Sequence, residues 1–127
     1  MVVTTVLLFA VPTVNAAPGG VEFLHSKKAD SYAKNACKEW SKVPGLPTTQ
    51  AQLTKWMSAA SSANKKAIKF ASSAAKRDKK WDVFLVHFII LRSELNYLRA
   101  YRQFNNAQAW DSAVTYLKTT CYKLVAK

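Results

Sequence analysis

The sequence predicts an all-α protein, a small four-helix bundle-like domain with a disulfide tying the first helix to the last. Three observations carry this. Apolar side chains from Ala33 to Leu124 recur at three- and four-residue steps, the spacing that gathers them on one side of a helix. Breaker segments at Pro44-Gly45-Leu46-Pro47 and Asn105-Asn106, with a turn expected near Arg77-Asp78-Lys79 where no Gly or Pro marks it, divide that pattern into four stretches. The two cysteines, Cys37 and Cys121, each fall on the apolar stripe of their own stretch, one in the first and one in the last.

Residues 1–16, MVVTTVLLFAVPTVNA, carry no charge. An apolar run from Val2 to Val11, closed by small residues at Val14-Asn15-Ala16, reads as a secretory signal peptide cut after Ala16 or Ala17. The run is too short to span a bilayer, whose core needs about twenty apolar residues in a helix. No Lys or Arg precedes it, so the signal is either atypical or continues upstream. Residues 17–25, APGGVEFLH, hold a proline and two glycines and are expected to form a flexible lead. A single helical domain is expected over 26–127, with helices over about 27–43, 49–77, 79–104 and 107–126.

In the first helix Ala33, Ala36, Cys37, Trp40 and Val43 form the buried stripe, and Pro44 ends it. Thr49 opens the second, with Gln52 three residues on in a capping-box arrangement. From there the apolar residues keep a seven-residue beat: Leu53, Ala60, Ala67, Ala74, Trp81, Phe88 and Leu95. A companion series of Trp56, Ala63, Phe70, Phe84, Leu91 and Leu98 fails only at Arg77. An unbroken helix over 49–103 would be about 80 Å long at 1.5 Å per residue. That is too long for a compact domain of this size unless it pairs with another chain, so a turn is expected at Asp78, which then caps the third helix. Short side chains at Ala59, Ala60, Ala63, Ala67, Ala71, Ala74 and Ala75 predict close approach by a neighbouring helix. Trp81 to Leu91 is apolar almost all round. Its β-branched content admits a short strand, but continuity with SELNYLRAYRQF favours a central, heavily buried helix. Asn105 with Gln108 caps the last helix, whose stripe is Trp110, Ala113, Val114, Leu117, Cys121 and Leu124.

An even pair of cysteines behind a secretory signal reads as a disulfide formed in an oxidising compartment. Closing so long a loop stabilises the fold by about 4 to 5 kcal/mol in the chain-entropy model.

The chemistry-bearing residues do not form a catalytic pattern, and no enzyme is expected. The acids Glu22, Asp30, Glu39, Asp78, Asp82, Glu94 and Asp111 mostly stand one turn from Lys or Arg, as surface ion pairs do. His25 sits in the lead. His87 has only Glu94, seven residues on, on its own face, so it reads as a hydrogen-bonded core or boundary histidine. Cysteine and histidine spacing makes no zinc site, and neither a metal nor a cofactor is expected. All three glycines lie outside any strand-to-helix turn that could cradle phosphate, and no serine has a Gly-x-Ser-x-Gly context.

What remains is charge. Nineteen basic residues against seven acidic give a net charge of +12. On a helical wheel Lys65, Lys66, Lys69, Lys76, Arg77, Lys79 and Lys80 cluster opposite the alanine stripe, with Asp78 alone among them. A solvated face explains part of this, but a face needed only for solubility carries both signs. The excess predicts an anion-binding surface, and its lysine-rich make-up suits a diffuse polyanion better than one planar carboxylate or phosphate. Wall polymers and acidic lipid headgroups are the expected cell-envelope partners. Nucleic acid is the least favoured, because the chain reads as exported and holds no base-reading motif. A second surface, Arg92, Tyr97, Arg99, Tyr101 and Arg102 with Phe104, has the Arg–aromatic mixture of protein interfaces. The alternative function is therefore a protein–protein module, self-associating through the heptad series.

The uncharged leader, the Ala36-Cys37-Lys38-Glu39-Trp40 segment, the alanine-rich middle, the Ala74-Ala75-x-x-Asp78-x-x-Trp81 passage and the late cysteine together resemble small exported all-helical proteins of actinobacteria. The resemblance implies an all-α fold and a secreted or cell-envelope location. It implies no activity.

Overall fold

Proline decides where the first helix ends, and capping side chains open the second and fourth helices. The computed structural model describes residues 19–125, with side chains from Lys27 to Val125; the expected signal peptide at 1–16 lies outside the described residues. Helix α1 spans Gly19–Trp40. Beyond it the hydrogen bonds tighten: Ser41 still donates to the Cys37 carbonyl at 2.9 Å, but Val43 donates only three residues back, to Trp40, at 3.0 Å. Pro44 forces this, because its ring disfavours helical conformation in the residue before it. The helix thus ends short of the expected Val43. It starts at Gly19, so the expected flexible lead over 17–25 is helical from that residue on. Each glycine costs a helix interior only about 1 kcal/mol relative to alanine, which does not forbid it.

Helix α2 spans Gln50–Arg77. Thr49 Oγ1 accepts from the Gln52 N–H at 3.3 Å, giving the first half of the expected capping box. Trp56 Nε1 donates to the Pro44 carbonyl at 2.9 Å and pins the α1–α2 link. Asp78 ends α2 in an extended conformation, φ −151° and ψ 116°. Its Oδ1 accepts from the Lys80 N–H at 3.1 Å and opens a single 3-10 turn over Lys79–Trp81. Helix α3 follows at Asp82–Tyr101, so the expected break falls at Asp78. It stops before the expected Phe104, because Arg102 adopts the left-handed region with φ 61°. Helix α4 spans Ala107–Val125. Its cap is Asn106, whose Oδ1 accepts from the Ala109 N–H at 3.0 Å, in place of the expected Asn105. The shift has a cause in α3: buried Glu94 accepts the Asn106 N–H at 3.0 Å and fixes the turn at that residue.

Short links between successive helices make neighbours antiparallel, and cross-contacts confirm it. Ser61 and Asn64 of α2 meet Arg99 and Phe88 of α3, in reversed order. Glu94 meets Asn106 while His87 stacks on Tyr116, 3.8 Å between centroids. The ring of four closes covalently where Cys37 of α1 bonds Cys121 of α4, with Cα atoms 5.6 Å apart. The molecule is a four-helix, all-α bundle with a disulfide joining its first and last helices, and no strand occurs among the described residues.

All seven members of the heptad series are buried. Trp40 and Trp56 both meet Trp110 edge-on, at 6.4 and 5.7 Å, and Phe88 meets Trp40 at 6.2 Å. The most extensive helix junction is α1 on α2. There Ala29, Ala33 and Ala36 belong to one cluster with Ala60, Ala67, Ala71 and Ala74, all fully buried. Methyl groups let the backbones close up, and what they lack in apolar area they offset in tight packing. Ala59, expected among them, faces solvent. Helix α3 also departs from expectation. It is one of four outer helices, so part of it must be wet, and Val83, Val86 and Ile89 are 54%, 48% and 37% exposed.

Candidate anion-binding surface

The helix break divides the predicted cationic set. Lys65, Lys66, Lys69 and Lys76 lie exposed along α2, with Arg77 half-buried at its end, whereas Lys79 and Lys80 belong to the 3-10 turn. A single-helix wheel therefore describes only the first five. Two of the seven are engaged by neighbouring groups of the bundle. The Arg77 guanidinium lies 4.7 Å from the Tyr32 ring centroid and donates to the Ser73 carbonyl at 3.2 Å. Lys80 Nζ is 3.0 Å from Asp30 Oδ1 and 3.8 Å from Asp78 Oδ2, and it sits 5.5 Å from the Trp81 ring. Asp30 also accepts from Trp81 Nε1 at 3.1 Å, so this group locks the α2–α3 turn onto α1. Among the described residues Lys65, Lys66, Lys69, Lys76 and Lys79 form no ion pair.

The second predicted surface also divides. Arg92 and Arg99 turn toward α2, where they line a cleft of about 380 Å³ with Lys65, Ser61, Asn64 and Asn96. Arg99 Nη2 donates to Ser61 Oγ at 3.0 Å. No acidic side chain lines the cleft. Lys65 from the first set and two arginines from the second thus meet in one concave, hydrogen-bonding place. Asn64 Nδ2 donates to the Phe88 carbonyl at 3.0 Å, leaving its buried Oδ1 without a hydrogen-bond partner among the described residues. Ser61, Asn64 and Asn96 were not singled out by sequence reasoning. Asn64 had a signal: it stands four residues after Ala60 and seven before Ala71, a polar residue on an apolar stripe.

Arg102 does other work. Its Nη1 donates to Thr54 Oγ1 at 3.0 Å and its Nη2 to the Gln50 carbonyl at 3.3 Å, clamping the end of α3 to the start of α2. It does so from a left-handed backbone conformation that side-chain-bearing residues adopt at a cost of about 1 to 3 kcal/mol. Arg102→Ala loses the clamp and keeps the strain; Arg102→Gly loses the clamp and relieves the strain. Arg102→Gly is therefore expected to be about 1 kcal/mol more stable than Arg102→Ala, as read by urea denaturation. Tyr97 and Tyr101 pair with each other at 4.4 Å, Tyr101 being largely exposed, and Phe104 stacks on Trp110 at 5.0 Å at the core's edge.

His87 Nδ1 lies 2.7 Å from the Val83 carbonyl, and its ring is covered on one face by Tyr116. Among the described residues no three His, Cys, Asp or Glu side chains converge as a metal site, and no helix is long and apolar enough to cross a membrane. What the surface offers is cations and hydrogen-bond donors around a shallow cleft that no acidic side chain lines, a local excess of positive potential. No family model, no curated protein and no solved structure matches this chain.

Proposed function

We propose that this is an exported, non-enzymatic binding protein whose cationic surface engages an anionic extracytoplasmic partner, a wall polymer or acidic lipid headgroups. The observation that carries the reading is the meeting of Lys65 with Arg92 and Arg99 in a cleft without an acid, flanked by Lys66 and Lys69. Each cation held near an anionic surface is worth about 1 kcal/mol. The five lysines without ion pairs among the described residues, joined by two arginines, supply this charge. The Cys37–Cys121 bond fits an oxidising compartment, where such bridges persist.

The test is retention on anionic vesicles and on an immobilised wall polyanion over a salt gradient. Retention is expected on at least one, falling steeply with salt as counter-ions compete. Reversing Lys65, Lys66, Lys69 and Lys76 to Glu abolishes it. Undiminished retention of that variant ends the reading. Which matrix responds decides between lipid and polymer.

A second reading rests on the exposed Val83, Val86 and Ile89 of α3, a row suited to a protein partner or a second copy. The heptad series is spent inside the bundle, so self-association would use this row. Light scattering that finds only monomer at high concentration removes the second-copy form.

A further inference from the structure

The bundle is least tightly closed between α1 and α4. Their contact is the sparsest of the four junctions around the ring, and they are held by the Cys37–Cys121 bond and by Trp40 against Trp110. Between them runs a groove of about 930 Å³, within the range of small-molecule sites. Its apolar lining is Trp40, Val43, the disulfide, Tyr122 and Val125. Tyr122 and Val125 are 78% and 69% exposed, the most of any large apolar side chains described. The charged lining is wholly cationic, Lys34 and Lys38 one turn apart on α1 and Lys118 on α4, and neutral Ser31, Asn35 and Ser41 complete the polar part. No acidic side chain lines the groove, and none of the three lysines forms an ion pair among the described residues.

We infer that this groove binds a single-chain anionic amphiphile of the fatty-acid type, its alkyl tail along Trp40, Val43, Tyr122 and Val125 and its carboxylate among Lys34, Lys38 and Lys118. The two halves of the lining call for the two halves of the ligand. A hydrophilic polyanion leaves the apolar residues wet, and a neutral oil leaves three amines without counter-charge. The disulfide keeps both walls at fixed separation, so little ordering is required on binding. This site is separate from the α2–α3 surface, and its ligand differs from the polymer or membrane proposed there.

The experiment is isothermal titration of the full, oxidised chain with dodecanoate below its micellar concentration. Dodecyltrimethylammonium (the same tail with opposite charge) and acetate (the headgroup alone) serve as comparisons. Saturable one-to-one binding of dodecanoate is expected, with both comparison ligands at least roughly tenfold weaker, as loss of the tail burial or of several charge contacts implies. The triple change Lys34→Glu, Lys38→Glu, Lys118→Glu abolishes the preference for the anion, and Val125→Asp weakens both amphiphiles. Every substituted side chain is exposed, so circular dichroism should stay unchanged. Reversing the four α2 lysines leaves dodecanoate binding within about twofold while removing polyanion retention, which keeps the two proposals distinguishable. Any of four results overturns the inference: no saturable binding, equal binding of both amphiphiles, an unaffected triple variant, or a loss upon α2 reversal that equals the triple variant's. A dimer dispersed by Tyr122→Asp would assign the groove to a second copy and overturn it as well.

Discussion

Replacing Cys37 and Cys121 together by Ala is expected to lower the unfolding free energy by about 4 to 5 kcal/mol. The bond closes a loop across 84 residues of sequence, and most of its effect lies in the unfolded chain, which it forbids from expanding. Both positions sit against the core, Cys37 almost fully buried, and alanine fits there without adding an unpaired polar group. For a domain near this size, total stability is about 5 to 15 kcal/mol, so the loss is a large share of the whole. Each kcal/mol moves Tm by roughly 4 to 8 °C in a domain of up to about 100 residues, and the melting point should fall by some 15 °C or more. Urea denaturation should also show a steeper m-value, because the unlinked denatured state exposes more surface. Reduction of the unmodified protein should have the same effect. The damage should be uneven: α1 keeps its alanine interface with α2, whereas the sparse α1–α4 junction loses its only covalent tie. Amide exchange in α4 should therefore accelerate more than in α2. A cost under about 1 kcal/mol would mean that the packing of Trp40 on Trp110 alone holds the ring closed.

The elements and their buried stripes were legible because each rests on local spacing. Leu53, Ala60, Ala67, Ala74, Trp81, Phe88 and Leu95 are all inside, as the seven-residue beat predicts, although the chain reverses between Ala74 and Trp81. The beat persists across the reversal because each helix independently buries one side. Cysteines on the inward stripes of the first and last helices were enough to place the bridge. The site was less legible, since its members come from different helices. Nothing local says that Arg77 meets Tyr32 or that Lys80 meets Asp30, and these partners withdraw two of the predicted cations. The α2–α3 register, which no periodicity specifies, puts Arg92 and Arg99 beside Lys65. Helix α3 illustrates a different limit. An apolar residue is not thereby a buried one, so the run from Trp81 to Leu91 could not disclose which of its sides the bundle would leave wet.

Phe88→Ala is expected to cost about 3 to 5 kcal/mol. Phe88 is fully buried where three helices meet. Its ring packs edge-on against Phe84 at 5.0 Å and Trp40 at 6.2 Å, and its carbonyl receives Asn64 from α2. Removing the ring leaves a cavity between rigid aromatic walls that cannot collapse into it, which puts the cost at the upper part of that range. Phe88→Leu refills much of the space and should recover more than half of the loss. The hydrogen bond to Asn64 uses the backbone, so it survives while α3 remains helical. Phe88→Ala should thus lower Tm sharply yet keep salt-dependent anion retention at temperatures where it is folded. Reversal of Lys65, Lys66, Lys69 and Lys76 should do the opposite. It abolishes retention, and by reducing a net charge of +12 it relieves self-repulsion and leaves Tm unchanged or slightly raised. The opposite signs matter, because a variant that merely unfolds loses stability and retention together. If Phe88→Ala, still folded by circular dichroism, loses retention in proportion to its stability, then the cleft is only a feature of the packed core and its cations do not form a binding surface.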